Sequence, residues 1–554
     1  MNKKVCSFPI LFALLALLIG TCAVVFPASA QAAPTSTGSI TVSGTVASSY
    51  DAYQIFSANV VDGDSDAKTA TDLAWASDAV RDAALPVLHS VSMPNSQTTA
   101  QEAAEWLNTD SHLTSALSAQ LARSLQSSGA VPVALNAGTT AELPCGYWFI
   151  VADDAIAQGE AGTAPIMALV GGSAVTVKPK AATPKVSKHV LEDGTAAWQK
   201  AADATVADDL YWCLSATVPA GLAAYDTYTV QFVDTMSAGL DPSRVAASMH
   251  VYVAAGADGG FDAVQTSKDG RAGTEPAKGW TDITAQCATK VAADGTFTVR
   301  TGDLIAALGG ADAFTAGARV VAVYDAPLNS ACSHGIAKGN PNEVYLRYPR
   351  SPFADQSGDT GFTRTPSDDA CAYTWDLALT KRGSDGDKPL AGAVLSIADD
   401  RGRTLAADGT WDAEGKATVT TGEDGRVTVS GVDSGKLEVR ELKAPKGYTA
   451  FEGTRSVTVK AEGLDVDQVA AAKPKLTITA ESPLRADSAD GSTGSLEASL
   501  INTPTGTPPS ITTGGFMPST GDMAMYAAAA AAVAGAALIV VALLVKRGGG
   551  SHKE

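Results

Sequence analysis

The 554-residue chain has few basic residues and few histidines. It contains 40 Lys and Arg against 59 Asp and Glu, which gives a formal net charge of −19 and a pI near 4.7. Nucleic-acid binding requires a basic surface, so this balance argues against nucleic acid as a partner. The histidines show no metal-ligand spacing. We therefore expect no nucleic-acid partner, no metal and no cofactor.

Cysteine is also scarce, with seven in the chain, two of them (Cys6 and Cys22) within the first 32 residues. The other five are Cys145, Cys213, Cys287, Cys332 and Cys371. An odd number of widely spread cysteines is not a disulfide framework, although one bridge among the three between 213 and 332 stays open. Any covalent stabilisation beyond that must come from another source.

Both ends of the chain carry long apolar runs. Lys3-Lys4, an apolar stretch over 8–25 and small residues at 28–30 predict a secretory signal peptide within residues 1–32. An uncharged run over 523–545 is long enough for a membrane-spanning helix, which needs about 20 residues. Lys546-Arg547 follow it and predict a cytoplasmic tail. We expect an exported chain that is held at a membrane or a cell wall.

A short motif precedes the C-terminal run, with the residues Met517, Pro518, Ser519, Thr520 and Gly521. It resembles the LPxTG sorting signal of Gram-positive surface proteins, with Met517 in place of Leu. In that family a sortase cuts between Thr and Gly and joins the Thr carbonyl to an amine. The resemblance implies cleavage between Thr520 and Gly521. The alternative is an ordinary C-terminal anchor helix after a Pro-Ser-Thr linker.

The region between the two ends divides into three predicted domains, at residues 37–184, 185–355 and 369–504. Short strands broken by Gly, Asp and Asn are typical of β-sandwiches, so we predict a mainly β chain. A Pro/Gly/Thr-rich stalk follows at 505–516, before the sorting signal at 517–554.

Some helix is predicted in the first domain. Thr99 and Glu102 have the spacing of a capping box before residues 103–107. Beyond them, leucines recur every four residues and form one apolar stripe, at Leu113, Leu117, Leu121 and Leu125.

The second and third domains each place three polar residues on apolar strand faces. Side chains alternate between the two faces of a strand. In each domain this alternation places three polar residues among apolar neighbours: a Lys near the start, an acid in the middle and an Asn near the end. The sets are Lys188, Asp234 and Asn342, and Lys381, Glu441 and Asn502. Each residue alone also fits a strand end that reaches water. The same order in two domains favours a shared role.

These three residue types have a joint chemistry. Burial disfavours charge, so a buried Lys drops in pKa and a buried carboxyl rises. A neutral amine is a nucleophile, and a protonated acid can donate a hydrogen bond to the Asn carbonyl. Attack on that carbonyl would expel ammonia and leave a Lys–Asn isopeptide bond. Such a domain would gain an internal covalent tie without cysteine.

Several segments resemble the sortase-assembled backbone pilins of Gram-positive bacteria. Residues 441–448 (ELKAPKGY) are similar to their E-box, and Lys381 with 389–393 (PLAGA) resembles the opening of their prealbumin-like collagen-adhesin type B domain. Residues 184–190 and 232–240 resemble their second isopeptide-forming domain. The resemblance implies tandem immunoglobulin-like and prealbumin-like β-sandwiches. It also implies two internal bonds, with these pairs and acids: Lys188–Asn342 with Asp234, and Lys381–Asn502 with Glu441.

Backbone pilins also carry a YPK-like motif at the end of the first domain, and its Lys attacks the sortase–pilin thioester of the next subunit. Here Lys178-Pro179-Lys180 occupies that place, with Lys178 where the family has Tyr. Alignment on Pro179 implies Lys180 as the polymerising residue, and Lys178 is the alternative. A basic, solvated linker would explain the same residues without this role.

The resemblance as a whole implies a structural protein, not an enzyme: a cell-wall-anchored pilus subunit that supports adhesion. Its implied partners are other copies of the chain, pilus-specific and housekeeping sortases, minor pilins, peptidoglycan and host surface ligands. One alternative is a wall-anchored or pilus-tip adhesin that never enters the shaft. A second alternative is an anchored extracellular enzyme, which no feature of the sequence favours.

Overall fold

The computed structural model describes residues 36–43, 49–63, 67–109, 112–152, 164–179, 183–219, 222–256, 262–267, 271–315, 317–352 and 354–506. Within these ranges the chain is mainly β, with several sheets and few helices, which confirms the predicted fold class. No helix in the described part is long and apolar enough to cross a membrane. The predicted signal peptide and the predicted C-terminal span lie outside these ranges.

In its described residues, the first domain combines two sheets with three helices. The strands are β1 (Thr37–Val42), β2 (Ser49–Asp62), β3 (Lys68–Trp75), β4 (Val133–Asn136), β5 (Thr140–Pro144), β6 (Gly146–Ala152), β7 (Ile166–Val170) and β8 (Val175–Val177). The helices are α1 (Asp78–Ser90), α2 (Ala100–Asn108) and α3 (Ser115–Gln126). One sheet has the order β5-β1-β8, and the other has the order β3-β2-β6-β7 with β4 also on β2.

The local helix signals of the first domain are confirmed. The Thr99 hydroxyl accepts from the Glu102 amide at 3.2 Å and the Glu102 carboxylate accepts from the Thr99 amide at 2.9 Å, so both halves of the capping box are present. In α3 the leucines at 117, 121 and 125 are buried against the sheet. Leu113 belongs to the same apolar contacts but lies before the helix begins.

The second domain is a sandwich of two large sheets. Its strands are β9 (Val186–Glu192), β10 (Ala197–Gln199), β11 (Ala201–Asp203), β12 (Tyr211–Thr217), β13 (Gln231–Met236), β14 (His250–Ala254), β15 (Val264–Thr266), β16 (Ala272–Pro276), β17 (Thr281–Asp282), β18 (Ala288–Val291), β19 (Thr296–Arg300), β20 (Arg319–Asp325), β21 (Asn340–Pro349), β22 (Phe362–Arg364) and β23 (Asp368–Tyr373). Its short helices are α4 (Val245–Ser248) and α5 (Leu304–Ala307). The strand orders are β10-β9-β12-β20-β14-β17 and β11-β23-β21-β13-β19-β18, with β22 also on β21 and a separate β15–β16 pair.

Strand β23 lies in the second domain's sheet because it pairs with β21 along Asp368–Tyr373. The sequence pattern places most of this segment, residues 369–373, in the third domain. The cysteines for which a bridge was left open, Cys213, Cys287 and Cys332, are all unpaired. The core between the two sheets includes Trp212, Phe232 and Tyr324.

The third domain is a smaller sandwich. Its strands are β24 (Trp375–Gly383), β25 (Val394–Ala398), β26 (Thr404–Leu405), β27 (Trp411–Asp412), β28 (Val419–Thr420), β29 (Arg426–Val432), β30 (Gly435–Lys443), β31 (Tyr448–Thr449), β32 (Thr454–Glu462), β33 (Lys475–Ala480), β34 (Leu484–Asp490) and β35 (Ser495–Pro504). The strand orders are β29-β24-β35-β31, with β34 also on β35, and β27-β26-β25-β30-β32-β33, with β28 also on β25. Alternate residues of β24, β30 and β35 point into one apolar core, as the period-two pattern predicts.

Candidate functional sites

Lys188, Asp234 and Asn342 lie together in the core of the second domain. Asp234 in β13 pairs with Val344, and Met236 pairs with Asn342, so the acid and the amide are diagonal neighbours on the inner face of one sheet. Lys188 comes from β9 in the facing sheet. All three residues are 0% exposed. Two sheets therefore bring together residues that are far apart in the sequence.

The polar atoms of this site are linked through a tyrosine. The Lys188 ammonium forms an ion pair with Asp234 Oδ2 and donates to the Tyr324 hydroxyl at 2.8 Å. The same hydroxyl accepts from Asn342 Nδ2 at 2.9 Å and donates to Asp234 Oδ2 at 3.3 Å. Among the described residues, Asp234 Oδ1 and Asn342 Oδ1 have no hydrogen-bond partner. The amine, the acid and the amide thus meet in a water-excluded space.

Burial brings the pKa values of Lys188 and Asp234 closer together. Desolvation lowers the pKa of Lys188 to about 8, although the negative charge of Asp234 opposes that change. Desolvation likewise raises the pKa of Asp234 to about 6, and Lys188 opposes it. A neutral amine beside a protonated carboxyl is therefore much more accessible here than in water. That pair of protonation states is the one that acyl transfer from the Asn requires.

Lys381, Glu441 and Asn502 meet in the core of the third domain. Strands β24 and β35 run parallel with Lys381 opposite Leu500 and Gly383 opposite Asn502, so the lysine and the amide share one face of one sheet. Glu441 comes from β30 in the facing sheet. Its Oε1 accepts from Asn502 Nδ2 at 2.8 Å and lies 3.7 Å from Lys381 Nζ.

The lysine of the third domain is also buried, and burial also lowers its pKa. Its side chain is 0% exposed, and its ammonium donates to the Leu500 carbonyl at 3.1 Å. Desolvation lowers the pKa of Lys381 to about 8, while the charge of Glu441 opposes the change. Asn502 Oδ1 has no hydrogen-bond partner among the described residues. Its carbonyl is therefore available to a proton donor.

The E-box-like segment 441–448 holds this site together. The Phe451 amide donates to Glu441 Oε2 at 3.1 Å, which fixes the carboxylate from one side. Tyr448 pairs with Pro504 on β35, two residues beyond Asn502. Gly447 turns the chain with φ of +87°, a conformation that side chains rarely adopt. The segment thus joins the strand of the acid to the end of the strand of the amide.

The residues predicted for assembly are only partly described. Lys178 follows β8 directly and is exposed to solvent. Lys180 lies outside the described residues. The sorting-signal residues lie outside them too; they are Met517, Pro518, Ser519, Thr520 and Gly521.

Sequence reasoning missed Tyr324. It shares the inner face of β20 with Val320 and Ala322, so it has the pattern of an ordinary core residue. The available signal was its hydroxyl, because a fully buried Tyr usually needs a hydrogen-bond partner. Knowing which partner it meets requires the strand order of the sheet.

Known proteins resemble parts of this chain. Residues 376–473 match the family described as the SpaA prealbumin-like fold domain. A curated relative, the trypsin-resistant surface T6 protein of Streptococcus pyogenes serotype M6, is 30% identical over 143 residues. That alignment covers 24% of this chain and 24% of the relative, so the match spans about a quarter of each protein.

Two solved structures are similar at low sequence identity. The T6 backbone pilin of Streptococcus pyogenes is 18% identical with a TM-score of 0.49, over 85% of this chain and 98% of that one. The major pilin SpaD of Corynebacterium diphtheriae is 15% identical with a TM-score of 0.42, over 86% and 100%. The family match lies within the third domain, whose sheets also include β33, β34 and β35 beyond residue 473. Residues 376–473 of this chain are therefore similar to the SpaA prealbumin-like fold domain.

Proposed function

We propose that this chain is the shaft subunit of a covalent pilus on a Gram-positive cell surface. In this proposal, its second and third domains each form one internal Lys–Asn isopeptide bond. The observation that carries the proposal is the recurrence of a buried Lys–acid–Asn site in two domains with different strand arrangements. A polar trio with no role would cost free energy in either core, because buried polar groups without full pairing are destabilising.

The bond-forming step uses only groups of the chain. Lys Nζ, once neutral, attacks Asn Cγ, and the protonated acid donates to Asn Oδ1 so that negative charge on this oxygen is stabilised. The Nζ–Cγ bond forms, the Cγ–Nδ2 bond breaks, and one proton passes from Nζ to Nδ2. Ammonia leaves, and the acid is regenerated. Fixed positions in the folded core replace the concentration that an intermolecular reaction would need.

Polymerisation in this proposal joins Thr520 of one subunit to Lys180 of the next. The Pro/Gly/Thr-rich composition of residues 505–516 is typical of a linker, which would let Thr520 reach an enzyme at the membrane. Next to Pro179, an acceptor lysine stays outside a central strand, because Pro lacks the amide that a sheet ladder uses. The partners would be a pilus sortase, a housekeeping sortase, minor pilins and peptidoglycan.

The relatives support a surface location. The curated relative is named as a surface protein, and the matched domain family shares its fold with residues 376–473. The acidic composition also suits an exposed, soluble shaft. We therefore place the mature chain at the cell surface, with the precursor held in the membrane.

The test is polymer formation in a strain that makes the chain together with its sortases. Lys180→Ala should abolish the heat- and SDS-resistant ladders and leave monomer on the wall. Thr520→Ala should remove both the ladders and the wall-bound monomer. Lys185→Ala is a matched control, because Lys185 is exposed just beyond the same linker. Ladders lost only in Lys178→Ala would move the acceptor to Lys178. Ladders that persist in the Lys178/Lys180 double variant would overturn the shaft role in favour of an anchored adhesin.

A further inference from the structure

The hydroxyl of Tyr324 occupies the centre of the second-domain site. It lies 2.8 Å from Lys188 Nζ, 2.9 Å from Asn342 Nδ2 and 3.3 Å from Asp234 Oδ2, so it touches all three reacting side chains. The ring is fully buried and packs edge-on against Phe297, with 4.9 Å between the ring centroids. Burial and the contact with Phe297 therefore hold the ring, and with it the hydroxyl, in place.

The contacts of the amide nitrogen distinguish the two sites. In the third domain, Asn502 Nδ2 donates directly to the carboxylate of Glu441. In the second domain, the hydrogen bond of Asn342 Nδ2 goes to the Tyr324 hydroxyl instead. The nitrogen that must leave as ammonia thus faces an acid in one domain and a phenol in the other.

We propose that Tyr324 is the proton relay of bond formation in the second domain. This inference rests on the proposed isopeptide chemistry. As Lys188 Nζ bonds to the carbonyl carbon of Asn342, the phenol oxygen takes a proton from Nζ. The phenol O–H, which donates to Asp234 Oδ2 before the reaction, turns to Nδ2 and passes its proton there, and the phenol ends unchanged. The Cγ–Nδ2 bond then breaks, and ammonia leaves with the proton that it lacked.

The chemistry of the leaving nitrogen explains why a relay is needed. An amide nitrogen is a poor base, but in the tetrahedral intermediate it becomes an amine that accepts a proton readily. Its departure without that proton would release an amide anion, which is a very poor leaving group. A positioned donor of this kind typically accelerates such a step by about 10²–10⁴-fold.

The phenol suits a relay better than a base. Burial raises the pKa of Tyr324 well above its ordinary value, and the charge of Asp234 adds to the effect. The group therefore stays neutral and can accept one proton while it gives another. Asp234 is left free to donate to the carbonyl oxygen, because its own Oδ1 and Asn342 Oδ1 both lack other partners among the described residues.

The experiment follows bond formation with time in the full-length chain made by cell-free synthesis. Samples are quenched in acidic denaturant and digested, and cross-linked and free peptides of each domain are quantified by mass spectrometry. Tyr324→Phe should slow the Lys188–Asn342 bond by about 10²-fold and leave the Lys381–Asn502 bond at its wild-type rate. Tyr228→Phe is the matched control, since Tyr228 is also a buried tyrosine of this core.

A second variant separates the relay from packing. Replacement of Tyr324 by 3-fluorotyrosine keeps the hydroxyl and nearly the same volume but makes the phenol more acidic. A relay predicts a changed rate and a shifted pH profile for the second-domain bond alone. An unchanged rate and profile, or a wild-type rate in Tyr324→Phe, would overturn the relay while leaving the isopeptide chemistry in place. A wild-type second domain that never forms the bond would overturn both.

Discussion

The second and third domains assemble the same three residue types in opposite ways. In the second, the acid and the amide share one sheet (β13 and β21) and the lysine comes from the facing sheet. In the third, the lysine and the amide share one sheet (β24 and β35) and the acid comes from the facing sheet. What the two sites share is therefore a meeting point in the core, not a strand arrangement. The chemistry constrains distance and burial, and the topology is free to differ.

The two sites also differ in the group that the amide nitrogen contacts. The length of the acid side chain accounts for this difference. Glu441 reaches Asn502 itself, with 2.8 Å between its Oε1 and Nδ2. The shorter Asp234 contacts the lysine, and the Tyr324 hydroxyl completes the link to the amide. One longer side chain in the third domain thus occupies the place that two groups occupy in the second.

The largest effect is expected from removing either acid. Asp234→Asn should prevent the second-domain bond only, and Glu441→Gln the third-domain bond only, because neither amide can supply the proton. By analogy with disulfides that close loops of this length, each lost bond should lower the free energy of unfolding by about 4–5 kcal/mol. Calorimetry should show the affected domain melting lower by on the order of 10 °C.

The control for that comparison is internal, because the untouched domain of each variant should keep its bond and its melting transition. Formation of the second-domain bond in Asp234→Asn at the wild-type rate would show that the acid is not required. The proposed role of the carboxyl would then fail.

Replacing Glu by Asp in the third domain, and Asp by Glu in the second, tests whether side-chain length explains the difference between the two sites. Glu441→Asp shortens the side chain that holds Asn502, and we expect its bond to form about 10²-fold more slowly, as a misplaced catalytic group does. In the second domain, Asp234→Glu combined with Tyr324→Phe recreates the third domain's arrangement. This double variant should form its bond faster than Tyr324→Phe alone, as measured by peptide mass spectrometry. A double variant slower than the single one would contradict the argument from side-chain length.

The rate of bond formation in the third domain should depend on pH through Lys381. Burial lowers the pKa of this lysine to about 8, so the reactive neutral amine is the major form only above that value. The reaction also needs a protonated Glu441, and a neutral lysine beside a protonated acid carries as many protons as the ion pair. The rate should therefore stay flat as long as the pair holds one proton, and above pH 8 it should fall about tenfold per unit. Newly synthesised chain sampled at pH 7, 8, 9 and 10 would measure this. A rate that keeps rising above pH 8 would show that the protonated acid is not required.

The smallest effect is expected where the second and third domains meet. Trp375 donates to Asp203 across this junction at 2.6 Å. Nearby, burial raises the pKa of Glu192 to about 8, with Asp203 and then Asp193 adding to the effect of burial. A carboxyl with a raised folded-state pKa contributes stability that is fully present below about pH 4.5 and is lost as the pH rises through about 8.

Glu192→Gln should remove this dependence and make the junction more stable than wild type at pH 8. The difference should vanish below about pH 4.5, because the wild-type carboxyl is protonated there in both states. Melting curves at pH 5 and pH 8 would measure the difference. A stability loss in Glu192→Gln at pH 8 would show that the charged carboxylate is needed at the junction.

Much of this architecture followed from local patterns. The capping box at Thr99 and Glu102 and the leucine stripe of α3 depend on near neighbours in the chain, so the sequence predicts them well. Strand alternation likewise predicts that the polar trios face the cores. These features need no knowledge of the sheet order.

The remaining features depend on tertiary structure. Tyr324 has the pattern of a core residue, and only the order β9-β12-β20 brings its hydroxyl to Lys188. Strand β23 lies close in sequence to the third domain yet pairs with β21 of the second. No local pattern indicates such pairings, because they are decided by which sheet edge is open.

The central claim is that both trios react, despite their opposite strand arrangements. The most direct test is peptide mapping by mass spectrometry of the full-length chain purified from cells. We predict one cross-linked peptide that joins Lys188 to Asn342 and another that joins Lys381 to Asn502, each lighter by one ammonia than its two parts together. Unmodified, separate peptides carrying these four residues would contradict the account.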